Sequence, residues 1–191
     1  MRRRGLALLL CFAAVAARAG EPVRVCYNYG CSAQAAVSYS EAQWLRVDVL
    51  LVEATTPVRE RALLGVAVGW LLGWAGEQTP IGADRGGNLA DDEVDGRMDC
   101  IDHATTVTRL LQRLEARGAL RFHRVLAPAR RARLLLFEHY AAQIETLDPE
   151  SGGRYVVDSW FFDNGQPAAV MSLARWQAGE SPDDGMDDEY D

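Results

Sequence analysis

Apolar residues alternate in the stretch after residue 22 and again beyond residue 120, with a period of three to four between, and the places where the period changes delimit the elements. The stretch "VRVCYNYGCSAQAAVSYS" alternates and turns at Asn28-Tyr29-Gly30, which predicts a β-hairpin. Ser40 with Gln43 three residues on predicts a capping box and a helix to about Glu53. Thr56-Pro57 is a second start signal, for a helix to about Gly76. In that helix Gly65, Gly69 and Gly73 form one row and Val66, Trp70 and Trp74 the next. Rows of this kind pack helices in bilayers, but the apolar run between Arg61 and Glu77 is too short for a span. The reading adopted is a buried helix whose glycines admit a neighbour closely, with the helix that opens at Cys100 as the expected neighbour.

Residues 78–97 are a long Gly- and Asp-rich loop, a kind that tends to be functional inside a compact domain. Helical spacing then returns in Ile101, Ala104, Val107, Leu111 and Leu114, with Asp99 as N-cap and Gly118 just past the end. Three strand-like runs follow, about Leu120 to Leu126, Leu134 to Leu147 and Arg154 to Phe162, the last two joined by the turn Asp148 to Gly153. Helices followed by antiparallel strands predict an α+β fold, with helices packed on an antiparallel sheet.

Composition changes this picture at the two ends. The chain has 191 residues, 49% hydrophobic and 25% charged, enough for one domain with a core. Residues 1–19 read as a cleaved secretory signal: Arg2-Arg3-Arg4, an apolar stretch from Leu6 to Ala17, and Ala17-Arg18-Ala19 as the cleavage site. The expected organisation is a single domain over 20–178 and an acidic, disordered tail over 179–191. The location is then periplasmic or secreted, without stable membrane insertion. Losing the four Arg of the signal takes the formal charge from −7 to −11, which argues against nucleic acid as a partner.

Cysteine placement supplies the first chemistry. In an exported protein Cys26 and Cys31 can close a small loop as a disulfide, which leaves Cys100 unpaired. Cys100 is the first residue of its helix, where free backbone N–H groups and the helix dipole favour thiolate. A thiolate nucleophile needs a base and a group that orients the base. His103 shares the helix of Cys100 and shows no orienting partner, while His123 and His139 lie in strands. If a four-residue loop at Asp148 to Ser151 sets the register, His139 faces Trp160 and has Asp158 as its diagonal neighbour, whereas a six-residue loop moves Asp158 one further pair away. Asp158 interrupts the apolar run "YVVDSWFF", and a histidine partner accounts for a carboxylate there.

"MDCIDHATT" opening a helix, then "EHYAAQI" and "YVVDSWF" in successive strands, resembles the transglutaminase-like cysteine hydrolases of the papain-like superfamily. The likeness is greatest to the small bacterial transglutaminase-like cysteine proteinases, and it covers roughly residues 85–162. The resemblance implies a papain-like, transglutaminase-like core with Cys100 as nucleophile, His139 as general base and acid, and Asp158 as orienting carboxylate. It also implies a possible calcium site at Asp99 and Asp102, although Ile101 stands where those proteinases add an acidic residue; no cofactor is otherwise required. The alternatives are that Asp99 caps the helix while Asp102 pairs with Arg97 or Arg109, and that Cys100, His103 and His139 hold zinc. Candidate oxyanion donors are the Cys100 N–H, Gln78 and Asn88.

The expected function is an exported thiol peptidase or amidase, or an acyl transferase, that takes a protein or peptide substrate through an acyl-enzyme. The rival is a non-catalytic exported binding domain that retains the fold, with Tyr27, Tyr29 and Trp160 as candidate contact residues. Sequence leaves the substrate and oligomeric state open.

Overall fold

A computed structural model describes residues 21–87, 90–133, 137–148 and 152–182. The signal segment, Asn88 and the tail beyond Pro182 lie outside these residues. Strands β1 (Val23–Tyr27) and β2 (Ala33–Val37) form the expected hairpin, with Val23 opposite Val37. Helix α1 (Glu41–Val52) opens on both halves of the Ser40–Gln43 capping box. Helix α2 (Pro57–Gly76) opens on Thr56, whose Oγ1 accepts the Arg59 N–H at 3.1 Å. A short 3-10 turn at Pro80–Ala83 follows, and then helix α3 (Cys100–Ala116).

A four-stranded antiparallel sheet completes the fold, in the order β3 (His123–Arg133), β4 (Phe137–Thr146), β5 (Arg154–Asp158), β6 (Ala169–Ser172). Side chains alternate across it. Ala142, Ile144 and Val157 join the main core with the hairpin, α1, α2 and α3. Ala141, Val156 and Ala129 face the other way, onto Trp176 of the short helix α4 (Leu173–Ala178). The fold is thus α+β, with the sheet covered on both faces. No helix among the described residues is long and apolar enough to cross a membrane.

Four details depart from the sequence reading. Strand β3 does not stop near Leu126 but continues to Arg133, across a register shift between Leu126 and Ala129. Pro128 lies in that shift, where a residue without an N–H does least harm to a ladder. The third run ends as a strand at Asp158, and β6 and α4 were not expected at all. The glycine row of α2 does not receive α3. A Cβ on Gly65 would stand 2.5 Å from the Ala168 carbonyl oxygen, and one on Gly69 2.7 Å from that of Gln166. The close neighbour is the segment that enters β6, and Ala168 N–H donates to the Gly65 carbonyl at 3.0 Å.

On α3, Ala104, Val107, Leu111 and Leu114 are buried as expected, while Ile101 is 40% exposed. His123 is fully buried, with Nδ1 2.7 Å from Glu60 Oε2. Burial alone would raise the Glu60 pKa, but His123 and the N–H groups of Arg121 and Phe122 hold it below the usual value. This histidine ties the start of β3 to α2, away from the candidate site.

Candidate active site

Strand β4 outruns β5, and this sets the site. The β4–β5 ladder begins at Ala142–Val157, whereas β4 pairs with β3 back to Phe137. Residues 138 and 139 therefore lack a β5 partner, and the N-terminus of α3 stands beside them. The Cys100 thiol lies 3.9 Å from the Glu138 carbonyl oxygen. Cys100 is half-buried and is the one free cysteine among the described residues.

Continued past its last pair, the β4–β5 register sets Trp160 opposite His139 and Asp158 on the diagonal, as the four-residue loop predicts. The His139 ring packs against Trp160, Phe161 and Trp176, with centroids 4.9, 5.8 and 5.6 Å away. Its Nε2 is 2.7 Å from Asp158 Oδ2, so Nδ1 is the ring nitrogen that Asp158 does not engage. Asp158 is 1% exposed and is held from three directions. Besides His139, Trp176 Nε1 donates to Oδ2 at 3.0 Å and the Trp160 N–H donates to Oδ1 at 3.2 Å. Burial disfavours a charged His139 ring. Hydrogen bonds to Asp158 and Cys100, with the negative charges behind them, outweigh it and bring the pKa up to about 9.

The two acidic neighbours of Cys100 are occupied by main chain. Asp99 Oδ1 caps α3, accepting the N–H groups of Ile101 and Asp102 at 3.0 and 2.9 Å. Its Oδ2 accepts the Gly30 N–H at 2.9 Å. Asp102 Oδ1 takes the Cys31 N–H at 2.6 Å, and Oδ2 takes those of Tyr29 and Asp99 at 2.8 and 3.2 Å. All four carboxylate oxygens are thus engaged by N–H donors. Burial, then the charge of Asp99, raises the Asp102 pKa to about 6 against those donors. Of the alternative to calcium, the Asp99 cap is present but the pairing of Asp102 with Arg97 or Arg109 is not: Arg97 meets Asp91 at 2.7 Å, and Arg109 donates to the Arg24 carbonyl at 3.0 Å. Cys26 and Cys31 are joined as a disulfide, as expected. They lie with Asp102 within 4.8 Å of one another, but disulfide sulfurs are not thiolate ligands.

His103 does have an orienting partner, contrary to expectation. Its Nδ1 is 2.8 Å from Ser159 Oγ and its Nε2 is 3.1 Å from Asp84 Oδ2, all three residues being buried. Asp84 Oδ1 in turn accepts the Met98 N–H at 2.9 Å. This chain ties the loop before α3, α3 itself and the residue after Asp158 into one block. It turns His103 away from Cys100, and among the described residues Cys100, His103 and His139 do not group as metal ligands. Gln78 is also committed elsewhere, to the Trp74 carbonyl and the Ser38 N–H. Of the oxyanion candidates within the described residues, the Cys100 N–H remains, as one of the donors that a helix start leaves without an internal acceptor.

Sequence reasoning missed Trp176, since α4 carries too few residues for a periodic signal. It also missed Ser159 and Asp84, which only the fold brings to His103. Comparison of the chain with protein-family models, curated proteins and solved structures finds no match.

Proposed function

We propose that the protein is an exported thiol hydrolase of the transglutaminase-like kind, a peptidase or amidase that works through an acyl-enzyme. The observation that carries the reading is the 2.7 Å bond from His139 Nε2 to a buried carboxylate that also receives a tryptophan N–H. His123 has a carboxylate partner at the same distance but lies away from the free thiol. His139 instead follows Glu138, whose carbonyl is 3.9 Å from Cys100 Sγ, and a histidine that exchanges protons with a thiol needs both the orienting acid and that neighbourhood. The raised pKa of His139 fits a resting imidazolium beside a thiolate.

In this mechanism Cys100 Sγ attacks the substrate carbonyl carbon, and the Cys100 N–H faces the oxygen that becomes negative. His139 Nδ1–H gives its proton to the departing amine as the C–N bond breaks, leaving a thioester on Cys100. Water then gives a proton to His139 and attacks the thioester, and the C–S bond breaks to release acid and thiolate. An amine in place of water makes the same site an acyl transferase. Asp158 keeps the ring in place and stabilises its charge through both steps.

The test uses an activated ester, p-nitrophenyl acetate, with the full chain. A burst of nitrophenolate with an acetyl adduct on Cys100, found by peptide mass spectrometry, is expected. The adduct should be absent in Cys100→Ser and much slower to form in His139→Ala. Acetylation spread over surface hydroxyls and unchanged by either variant would favour the non-catalytic binding domain.

A further inference from the structure

A nucleophile set between Asp99 and Asp102 faces two like charges, and the hairpin tip is built against them. Asn28, Tyr29, Gly30 and Cys31 have φ values of 64°, 64°, 62° and 57°. Four left-handed residues in succession, three with a Cβ, form only where surrounding structure enforces them. The conformation turns the N–H groups of Tyr29, Gly30 and Cys31 onto the carboxylates of Asp102 and Asp99, at 2.8, 2.9 and 2.6 Å. Successive N–H groups so directed make a concave anion site, here filled by the protein's own acids. The Cys26–Cys31 disulfide closes that tip. Its two sulfurs are unequal: Cys26 is fully buried with Arg109 Nη1 at 3.4 Å from Sγ, while Cys31 is half-buried.

We propose that the Cys26–Cys31 disulfide is a site of thiol–disulfide exchange, and that its state sets the reactivity of Cys100. The proposal rests on Cys100 being the nucleophile. A protein dithiol is the reductant. One of its sulfurs, as thiolate, attacks the accessible Cys31 Sγ. The S–S bond breaks, and Cys26 leaves as a thiolate beside the Arg109 guanidinium, which favours the leaving group, and then takes up a proton. The second thiol of the reductant displaces Cys31 from the mixed disulfide. Two electrons have passed to the protein, which now holds two thiols, and the reductant has become a disulfide. The tip then loses the bond that enforces its left-handed run. As it relaxes, its N–H groups withdraw from Asp102 and from Asp99 Oδ2, and the Asp99 charge, left with only the donors of its own helix, bears more strongly on the sulfur beside it.

The experiment compares the oxidised full chain with the same protein reduced by dithiothreitol. Each is pulsed with iodoacetamide at neutral pH, and the Cys100 peptide is quantified separately from those of Cys26 and Cys31. Reduction should slow Cys100 labelling by about tenfold or more while the circular dichroism is kept, and reoxidation should restore it. The double variant Cys26→Ser/Cys31→Ser should label as the reduced protein does. Arg109→Gln should open more slowly with the same dithiol, yet show the parent rate at Cys100 when oxidised. A folded, reduced protein that labels at the oxidised rate overturns the proposal, as does global unfolding on reduction, because the device is then not local. If Cys100 of the oxidised protein labels no faster than in His139→Ala, the nucleophile reading has failed instead. If it labels faster and reduction changes nothing, only the exchange proposal has.

Discussion

Trp176 Nε1 and His139 Nε2 converge on one oxygen, Asp158 Oδ2, at 3.0 and 2.7 Å. The indole, itself fully buried, also packs its ring on the imidazole and under the Arg131 guanidinium, at 4.7 Å. One side chain of a six-residue helix thereby fixes both the acid and the ring that the acid orients.

Trp176→Phe keeps an aromatic plane and removes the N–H. The carboxylate loses one of its donors, at a cost of about 1–3 kcal/mol in unfolding free energy. Urea denaturation measures the cost. Burst acylation should slow while labelling of the unfolded protein is unaffected, and a variant as stable and as fast as the parent would deny Trp176 this role.

The two histidines nearest Cys100 should separate cleanly. His139→Ala removes the proposed partner of the Cys100 sulfur and should slow iodoacetamide labelling at neutral pH by about tenfold or more. It also leaves the buried Asp158 short of a donor, so some stability is lost with it. Asp158→Asn should act in the same direction but less, because an amide oxygen still accepts from the ring without stabilising its charge. His103→Ala leaves the buried Ser159 and Asp84 without their common neighbour, so its main effect should be on stability, about 1–3 kcal/mol. Denaturation midpoints and labelling rates from the same preparations check all three.

His139 also links stability to pH. Its folded pKa of about 9 stands above the ordinary 6.5, so the folded protein holds this proton more tightly than the unfolded chain does. The resulting stabilisation is complete below about 6.5, declines between the two values and is gone above about 9. Unfolding free energies measured at pH 6 and pH 10 should therefore differ more in the parent than in His139→Gln. Equal differences would mean that the ring is not held as a cation.

Two glycines of one row should respond oppositely to alanine. At Gly65 the new methyl would stand 2.5 Å from a backbone carbonyl, so α2 must move off the Ala168 segment, at a cost of about 1–3 kcal/mol. At Gly73 the nearest atom is Gly165 Cα at 3.4 Å, ordinary contact, and removing a glycine from the last turn of the helix stabilises by up to about 1 kcal/mol. Thermal midpoints of Gly65→Ala and Gly73→Ala give the comparison.

What could be read from the sequence was set by nearest neighbours along the chain. Ser40 with Gln43, Thr56 with Pro57, and Asp99 before Cys100 are local signals, and the three helices begin where they say. The His139–Asp158 diagonal was legible because one short turn fixes the register of a hairpin. The rest depended on contacts across long separations. Nothing local tells that the N–H groups of Tyr29 and Cys31 go to Asp102, more than seventy residues on. Nothing local says that Asp84 waits for His103, or that the glycines of α2 meet Gln166 and Ala168. Strand β6 has four residues and α4 six, too few for either period to emerge.

The path from Asp158 back to β6 is pinned at several points through its main chain. The Gly87 N–H donates to the Trp160 carbonyl at 2.8 Å, Gly86 abuts the backbone of Phe161 and Phe162, and Gly65 and Gly69 abut the carbonyls of Ala168 and Gln166. Length, more than side-chain identity, is therefore what this return segment must preserve. Substitutions at Gln166 and Ala168, which meet α2 through their carbonyls, can change the side chains beside the site and leave Asp158 where it is. A single inserted residue has no slack to enter, and must displace either the acid or the edge strand.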